Sequence, residues 1–385
     1  MYAGRIESWP KHVRFGPGCV RELPDLMESL GARRALVVCG RTVAGGDMLA
    51  RVTAALGAHC AGVYDGVSAH SPVEKVREAA RRLEAIGADT VISVGGGSAI
   101  DAGKGIALER AAGHALESFA IDFAGQAMAR PALPDPGIRH IAVPTTAGSA
   151  SDVMPTAGIR DPAAGVKLLF WDDRLVPDAT VLDPEMAVYA GPELSAATGV
   201  TALARTIESL YSSDRNPLST GLAVHAIRLL GRALPRVIEA PDDLAARADC
   251  QMACLMSGTA AMNAMASVVH AIGHVVGGRY ALQHGTSHAI LLGPAMRRLL
   301  PAIGADLAIV LEALGADPGG SASDAADRVE GLLAALPLPR RLRDVGVEEG
   351  ALPEIAAATM DDYMMPNLPM PMTEADVLGL LEEGF

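Results

Sequence analysis

The stretch VISVGGGSAIDAGKGIAL, residues 91–108, runs from an apolar β-branched segment through three glycines into a run of small residues. Such a passage reads as a strand that ends in Gly95, Gly96 and Gly97 and turns into a helix opening at Ser98. At that turn, backbone N–H groups and the positive end of a helix converge where no side chain intervenes, and a pyrophosphate suits the place. The spacing is not G-x-G-x-x-G, and tight strand-to-helix turns also use glycine for steric reasons alone, so both readings stay open at this point.

Working outward, residues 35–94 repeat one alternation. ALVVC (35–39) is a short apolar strand, 43–56 has helical spacing, and GVYDG (62–66) contains a second strand. SPVEKVREAARRLEAIG (71–87) opens with Ser and Pro at a helix start and stops at Gly, and TVISV (90–94) is the next strand. HIAVP (140–144) follows an irregular excursion rich in Pro and Gly. Strands alternating with helices imply parallel pairing and an α/β sheet. After VLDPEMAVYAGPELS (181–195) helical periodicity dominates to the end of the chain. The expectation is an α/β domain over 1–186 with a parallel sheet and an all-helical domain over 187–385, the boundary falling between Asp183 and Pro192. Two capped helices are predicted inside the second half, in 314–336 and in 372–385, the latter with Thr373 as N-cap and Asp376 three residues on.

With 385 residues the chain exceeds what one hydrophobic core organises. Half of the residues are hydrophobic but only 3% are aromatic, so aliphatic side chains must pack around many glycines. Against 45 acidic residues there are 32 Lys and Arg, a net charge of -13 with no basic cluster, which argues against a nucleic-acid partner. Five scattered cysteines without a zinc spacing suit reduced thiols in a cytoplasm. The N-terminal stretch lacks the apolar run of an export signal. Cys250 to Gly278 contains no charged side chain over a span long enough for a bilayer, yet its small residues, Gln251, Asn263, His270 and His274 favour one buried central helix of the helical domain and no membrane.

The residues after the glycine turn make GGGSxxDxxK, Gly95 to Lys104, which resembles the signature of the iron-containing alcohol dehydrogenase superfamily. PTTAGSASD (144–152) resembles that family's cofactor loop, with Asp152 in place of Glu; Lys167 and PDATVLDP (177–184) resemble its next block. ATGVTALARTIESLY (197–211) and HAIGHVVGGRYALQHGTSH (270–288) correspond to its two metal-bearing segments. The resemblance implies an N-terminal dinucleotide-binding domain, a C-terminal helical domain and an active site in the cleft between them. NAD(P)H would lie on Gly95, Gly96, Gly97 and Ser98, with Thr145, Thr146 and Ser149 along the ribose and nicotinamide, Asp101 nearby, and Lys167 among the cofactor contacts. Many NAD-preferring members carry an Asp after the first strand; here VVCGRT offers Gly40 and Arg41, which favours NADP over NAD unless Arg41 merely points into solvent.

Members of the family hold iron or zinc with an Asp and a His one helical turn apart and two further histidines. In this chain the first pair falls on Thr201 and Arg205, while His270 and His284 remain, with His274 at a further pocket position. A Thr hydroxyl is a poor ligand and a guanidinium is a permanent cation without a free lone pair. The expectation is therefore no catalytic metal, the alternative being that Glu208 completes a shifted site rather than serving as an ion-pair partner on a helix face. Arg205 would then stabilise the developing alkoxide or clamp a substrate carboxylate, and His270, His274 or His284 would donate the proton.

His288 reads as structural, and His12, His59, His114 and His225 as surface or satisfied histidines. Cys250 and Cys254, and the methionines at 364, 365, 370 and 372, read as packing residues. The Arg of the family's Asn-Pro-Arg segment is missing near YMMPNLPMPM. The resemblance implies a homodimeric NAD(P)H-dependent reductase of a small carbonyl compound, a carboxylate among the candidates, or of a maleylacetate-like substrate, since IESLYSSDRNPLS (207–219) resembles the maleylacetate reductase branch. A non-redox enzyme and a silent nucleotide-binding homologue are the competing classes.

Overall fold

The computed structural model describes residues 12–69, 71–113, 115–280, 282–316 and 321–385. Its contacts divide the chain into two compact units. One gathers the described residues through Asp122 together with Ala129–Tyr189; the other gathers Phe123–Met128 and Ala190–Phe385.

The first unit is built on six parallel strands. They are β1 (His12–Phe15), β2 (Ala35–Gly40), β3 (Cys60–Val67), β4 (Thr90–Gly95), β7 (Arg139–Pro144) and β10 (Ala179–Leu182), in the order β1-β10-β7-β4-β2-β3. In sequence between β4 and β7 lies the short pair β5 (Asp122–Ala124) and β6 (Ala127–Ala129), most of which belongs to the other unit; within the sheet unit an antiparallel hairpin follows as β8 (Thr156–Asp161) and β9 (Val166–Trp171). The helices are α1 (Leu23–Ser29), α2 (Arg41–Ala44), α3 (Asp47–Leu56), α4 (Val73–Ala85), α5 (Gly97–Ala112) and α6 (Pro184–Ala187).

Because side chains alternate along a strand, β2 and β4 feed two separate cores. Leu36, Val38 and Val91 pack on one face with Val76, Ala79 and Leu83 of α4, Ile106 of α5 and Ile159 of the hairpin. Ala35, Val37, Cys39, Ile92 and Val94 pack on the other with Leu26 and Met27 of α1 and Val52 and Leu56 of α3. Covered on both faces, these strands are near-continuous apolar runs, which is why they were legible as a parallel sheet. The helix expected over 43–56 is two helices, α2 and α3, separated at Gly45 and Gly46. Ser71 does not cap α4. It has a φ of 49°, Pro72 takes the N-cap position, and the Ser71 hydroxyl donates to the Ser98 carbonyl at 2.5 Å.

The second unit is helical: α7 (Pro192–Tyr211), α8 (Pro217–Glu239), α9 (Leu244–Ala264), α10 (Val268–Tyr280), α11 (His284–Ala313), α12 (Ala322–Ala334), α13 (Leu352–Met360) and α14 (Glu374–Gly384). α7 is buried from Ser195 to Tyr211 almost without interruption and packs against α8, α9 and α11. Capping boxes start α12 at Ser321 and α14 at Thr373, whose partner is Asp376 as its spacing predicts. Asp317 to Gly320, in the turn predicted before α12, lie outside the described residues.

One expectation fails in this unit. Cys250 to Gly278 is not a single central helix: α9 and α10 meet at an angle of 108°, and Met265 at the break has a φ of 59°. The free N–H groups of the new helix start are satisfied by Glu208 of α7, so a carboxylate distant in sequence makes the break stable. Among the described residues no single helix is long and apolar enough to cross a membrane.

Candidate active site

In the sheet unit, the chain leaves β2 for β3 on one side and returns to β4 on the other, so the strand order reverses between β2 and β4. Ligands of parallel sheets bind outside the carboxyl ends of strands at such a reversal. The carboxyl ends here are Gly40 of β2, Gly95 of β4 and Pro144 of β7, the last two paired directly in register. Arg41 opens α2 there and is exposed.

Gly95 has a φ of 150°, a conformation that side-chain-bearing residues rarely adopt, and this turns the chain from β4 into α5. Gly96 is the N-cap, and among the described residues it makes no side-chain cap, so the positive end of α5 stands at the turn. Thr145 N–H donates to the Gly95 carbonyl at 3.0 Å and brings the 145–151 loop over the turn. A Cβ at Gly97 would lie 2.7 Å from the Ser149 Cβ, and one at Gly96 would lie 3.2 Å from the Thr146 hydroxyl. Gly95, Gly96, Gly97, Ser98, Thr145, Thr146 and Ser149 thus form one surface.

Asp101, one turn into α5, accepts from Gly158 N–H at 3.1 Å through one carboxylate oxygen; the other is buried with no hydrogen-bond partner among the described residues. Lys167 on β9 is exposed, and its side chain crosses Gly158 beside Asp101. The Lys of the GGGSxxDxxK run has a different role. Lys104 is 1% exposed, donates to the carbonyls of Met154 (2.6 Å) and Thr156 (2.7 Å), and burial pushes its pKa down to about 8. It ties the hairpin to α5.

In the helical unit, α10 and α11 each carry two histidines four residues apart, so each pair shares a helix face. The four rings form a contiguous array. Ring centroids lie 4.2 Å apart for His270 and His288, 6.0 Å for His284 and His288, and 5.6 Å for His274 and His284. α7 lies against α11 closely enough that a Cβ on Gly285 would sit 1.6 Å from the Ala197 carbonyl oxygen, so only glycine fits there.

Arg205 is 6% exposed and donates to the Ser257 hydroxyl at 3.2 Å, which itself donates to the Ala202 carbonyl. Its charge adds to burial in driving the pKa of His270 and of His288 well below the usual imidazole range, so both rings stay neutral. His270 donates from Nδ1 to Glu208, and its Nε2 is buried without a partner among the described residues. Glu208 also accepts from Ser267 N–H (3.1 Å), the Ser267 hydroxyl (3.0 Å) and Val269 N–H (2.9 Å). Burial pushes this carboxyl up to about 7, opposed by those donors. The reading of Glu208 as an ion-pair partner on a helix face is therefore wrong: it is fully buried, because the start of α10 needs its oxygens.

His274 is held differently. Its Nδ1 donates to Asp362 at 2.8 Å, the other Asp362 oxygen accepts from Met364 N–H, and the ring stacks on Tyr363 at 5.5 Å and 18°. Sequence reasoning missed Asp362. The only signal was its place in the DDYMMPN segment, where a departure from the family pattern was already visible.

The donor set does not fit a divalent metal. The Thr201 hydroxyl is engaged with the Ala197 carbonyl at 3.0 Å, Arg205 is a buried cation, and both Glu208 oxygens are occupied. Of the four positions that the family resemblance marks for ligands, His270 and His284 alone carry a side chain suited to that task. Among the described residues no group of three His, Cys, Asp or Glu is placed to hold an ion.

Of the remaining histidines, His12 is half-buried, His59 meets the Arg33 carbonyl at 3.1 Å and His225 is exposed. His114 lies outside the described residues. Cys250 and Cys254 are buried, and burial drives the Cys250 thiol up to about 12. Met364, Met365 and Met372 are buried and Met370 half-buried.

The sheet unit thus carries a glycine turn at its strand reversal, and the helical unit carries four contiguous imidazoles. Two family models match: iron-containing alcohol dehydrogenase over residues 10–184, and the C-terminal part of the iron-containing alcohol dehydrogenase family over 195–385. The chain is 32% identical to maleylacetate reductase 2 of Cupriavidus pinatubonensis over 81% of its length and 79% of that protein. It is 31% identical to 1,3-propanediol dehydrogenase of Citrobacter freundii over 96% of each chain. The crystal structure of maleylacetate reductase from Agrobacterium tumefaciens superposes with a TM-score of 0.84 at 28% identity, covering 100% of this chain and 99% of that one. The chain belongs to the iron-containing alcohol dehydrogenase family, and it is an oxidoreductase of that family.

Proposed function

We propose that the protein is an NAD(P)H-dependent reductase of a small carbonyl or maleylacetate-like substrate that works without a bound metal. The observation that carries this reading is Arg205, a buried permanent cation among neutral imidazoles. Reducing a carbonyl, or a double bond conjugated to one, builds negative charge on a single oxygen, and a fixed cation in a water-poor site stabilises it. A carboxylate-bearing substrate suits the same guanidinium through a two-pronged hydrogen bond. The open turn at Gly95–Ser98 and the 145–151 loop suit the nucleotide, which when bound supplies the hydride.

Gly40 offers no carboxylate to a ribose and Arg41 stands exposed beside it, which supports a preference for NADP. Five free cysteines suit a reducing cytoplasm, and a homodimer is the expected assembly.

The test is nucleotide oxidation by chelator-treated, tag-free protein against keto acids, aldehydes and maleylacetate, run with NADPH and with NADH. Turnover without metal, faster with NADPH, is the expected result. Activity that returns only with stoichiometric iron or zinc overturns the metal-free reading, and equal or better use of NADH removes the role given to Arg41.

A further inference from the structure

We propose that Asp362 is a positioning residue that makes His274 the proton donor of the reaction; this rests on the reductase reading above. His270, His274 and His284 were the candidates for that role on sequence grounds; His284 lies edge-on to His274, and burial separates the two rings that meet a carboxylate, His270 and His274. His270 is buried, with its Nδ1 committed to Glu208. His288 is fully buried, and neither ring nitrogen meets a hydrogen-bond partner among the described residues. A group that must recover a proton from solvent after every turnover is badly placed in either setting.

His274 is placed for it. Its side chain keeps 29% of its exposure, enough for water to reach the ring, whereas that of Asp362 keeps only 9%. The Asp362 carboxylate accepts a hydrogen bond from His274 Nδ1–H at 2.8 Å, which directs Nε2 away from the carboxylate as the exchanging nitrogen. Tyr363 stacked on one side and His284 edge-on hold the plane of the ring. Asp362 is itself fixed, since its second oxygen caps Met364 N–H at 2.9 Å. The histidine thus has one tautomer, one orientation and a route to solvent.

For a carbonyl substrate the bookkeeping closes. The carbonyl carbon gains a hydride from the dihydronicotinamide, which is oxidised. The C=O π pair moves to oxygen. The new O–H bond takes the Nε2 proton of the doubly protonated His274 ring, which is left as the neutral Nδ1–H tautomer, and a hydronium ion from solvent returns a proton to Nε2, so that one H+ is consumed per turnover. Asp362 keeps its charge throughout and touches no reacting atom.

Asp362→Asn retains the acceptor for Met364 N–H while presenting an amide to His274, so folding is preserved and the tautomer is not. Nitrogen-15 spectra of histidine-labelled full-length protein, with the His274 signals identified by their loss in His274→Gln, give a readout independent of turnover. The expected wild-type pattern is Nδ1–H, shifted in Asp362→Asn. In the enzyme assay kcat falls on the order of 100-fold while KM and nucleotide affinity stay within about twofold. Asp362→Glu recovers part of the rate.

Unchanged His274 signals in Asp362→Asn, or an undiminished kcat, overturn the proposal, as does a loss carried by KM alone. If the wild-type chain transfers no hydride to any substrate, the reductase reading falls and the donor role with it. The spectra then still show whether Asp362 sets the tautomer, so the two failures are told apart.

Discussion

His270 and His274 stand one turn apart on α10, and each donates its Nδ1 to a carboxylate, yet the two pairs do different work. Glu208 lies wholly inside the helical unit and spends most of its hydrogen-bonding capacity on backbone and hydroxyl donors at the start of α10. Asp362 meets a half-exposed ring and spends only one bond on the backbone. The same chemical pairing is thus a structural clamp where water is excluded and a means of orienting a proton donor where water is admitted. Burial, rather than residue type, makes the difference.

The largest expected effect concerns the charge beside the buried pair. Arg205→Ala should lower kcat/KM on the order of 1000-fold, the scale of losing an oxyanion-stabilising donor, without weakening nucleotide binding measured by fluorescence titration. An active Arg205→Ala enzyme would remove the only cation assigned to the developing oxyanion. Next comes Glu208→Ala. It strands the Ser267 and Val269 donors and the His270 Nδ1 in a dry interior, and should cost about 3 kcal/mol of stability in urea unfolding. Asp362→Ala should cost about 1 kcal/mol in the same measurement, because the half-exposed His274 can turn to water. Equal losses at the two carboxylates would erase the distinction drawn here.

What could be read from sequence follows the range of the interactions. β2, β4 and β7 were legible because each is a local apolar run ended by Gly or Pro, and the glycine turn was legible because one strained residue and its helix lie side by side. β1 and β10, four residues each, carry too little pattern and are held by pairing, β10 between β1 and β7 and β1 on β10 alone. The break between α9 and α10 was hidden for a physical reason. Its cap comes from Glu208, 59 residues before Ser267, while the local stretch reads as uninterrupted apolar helix. Asp362 was hidden likewise, 88 residues from the ring it orients. Thr201, Arg205 and Glu208 could be singled out in the sequence, but the bonds of Glu208 to Ser267, Val269 and His270 could not, because they join separate helices.

The smallest effect is expected at the array histidine whose two ring nitrogens are both buried without a hydrogen-bond partner among the described residues. His288 is fully buried against His270, and a Cβ on Gly273 would meet its Nε2 at 2.6 Å, so the ring fills a space shaped for it. With both nitrogens lacking a hydrogen-bond partner among the described residues, the imidazole contributes mainly volume. Leucine offers comparable volume without polar atoms to bury. His288→Leu should therefore leave stability within about 1 kcal/mol of the parent, since lost ring contacts are offset by relieved desolvation, and should leave kcat within about threefold. Urea unfolding and steady-state kinetics on the same preparation measure both. A rate loss as large as that of Asp362→Asn would mean that protons pass through the buried half of the array. Burial would then no longer separate clamp from donor, and the four imidazoles would have to be treated as one relay.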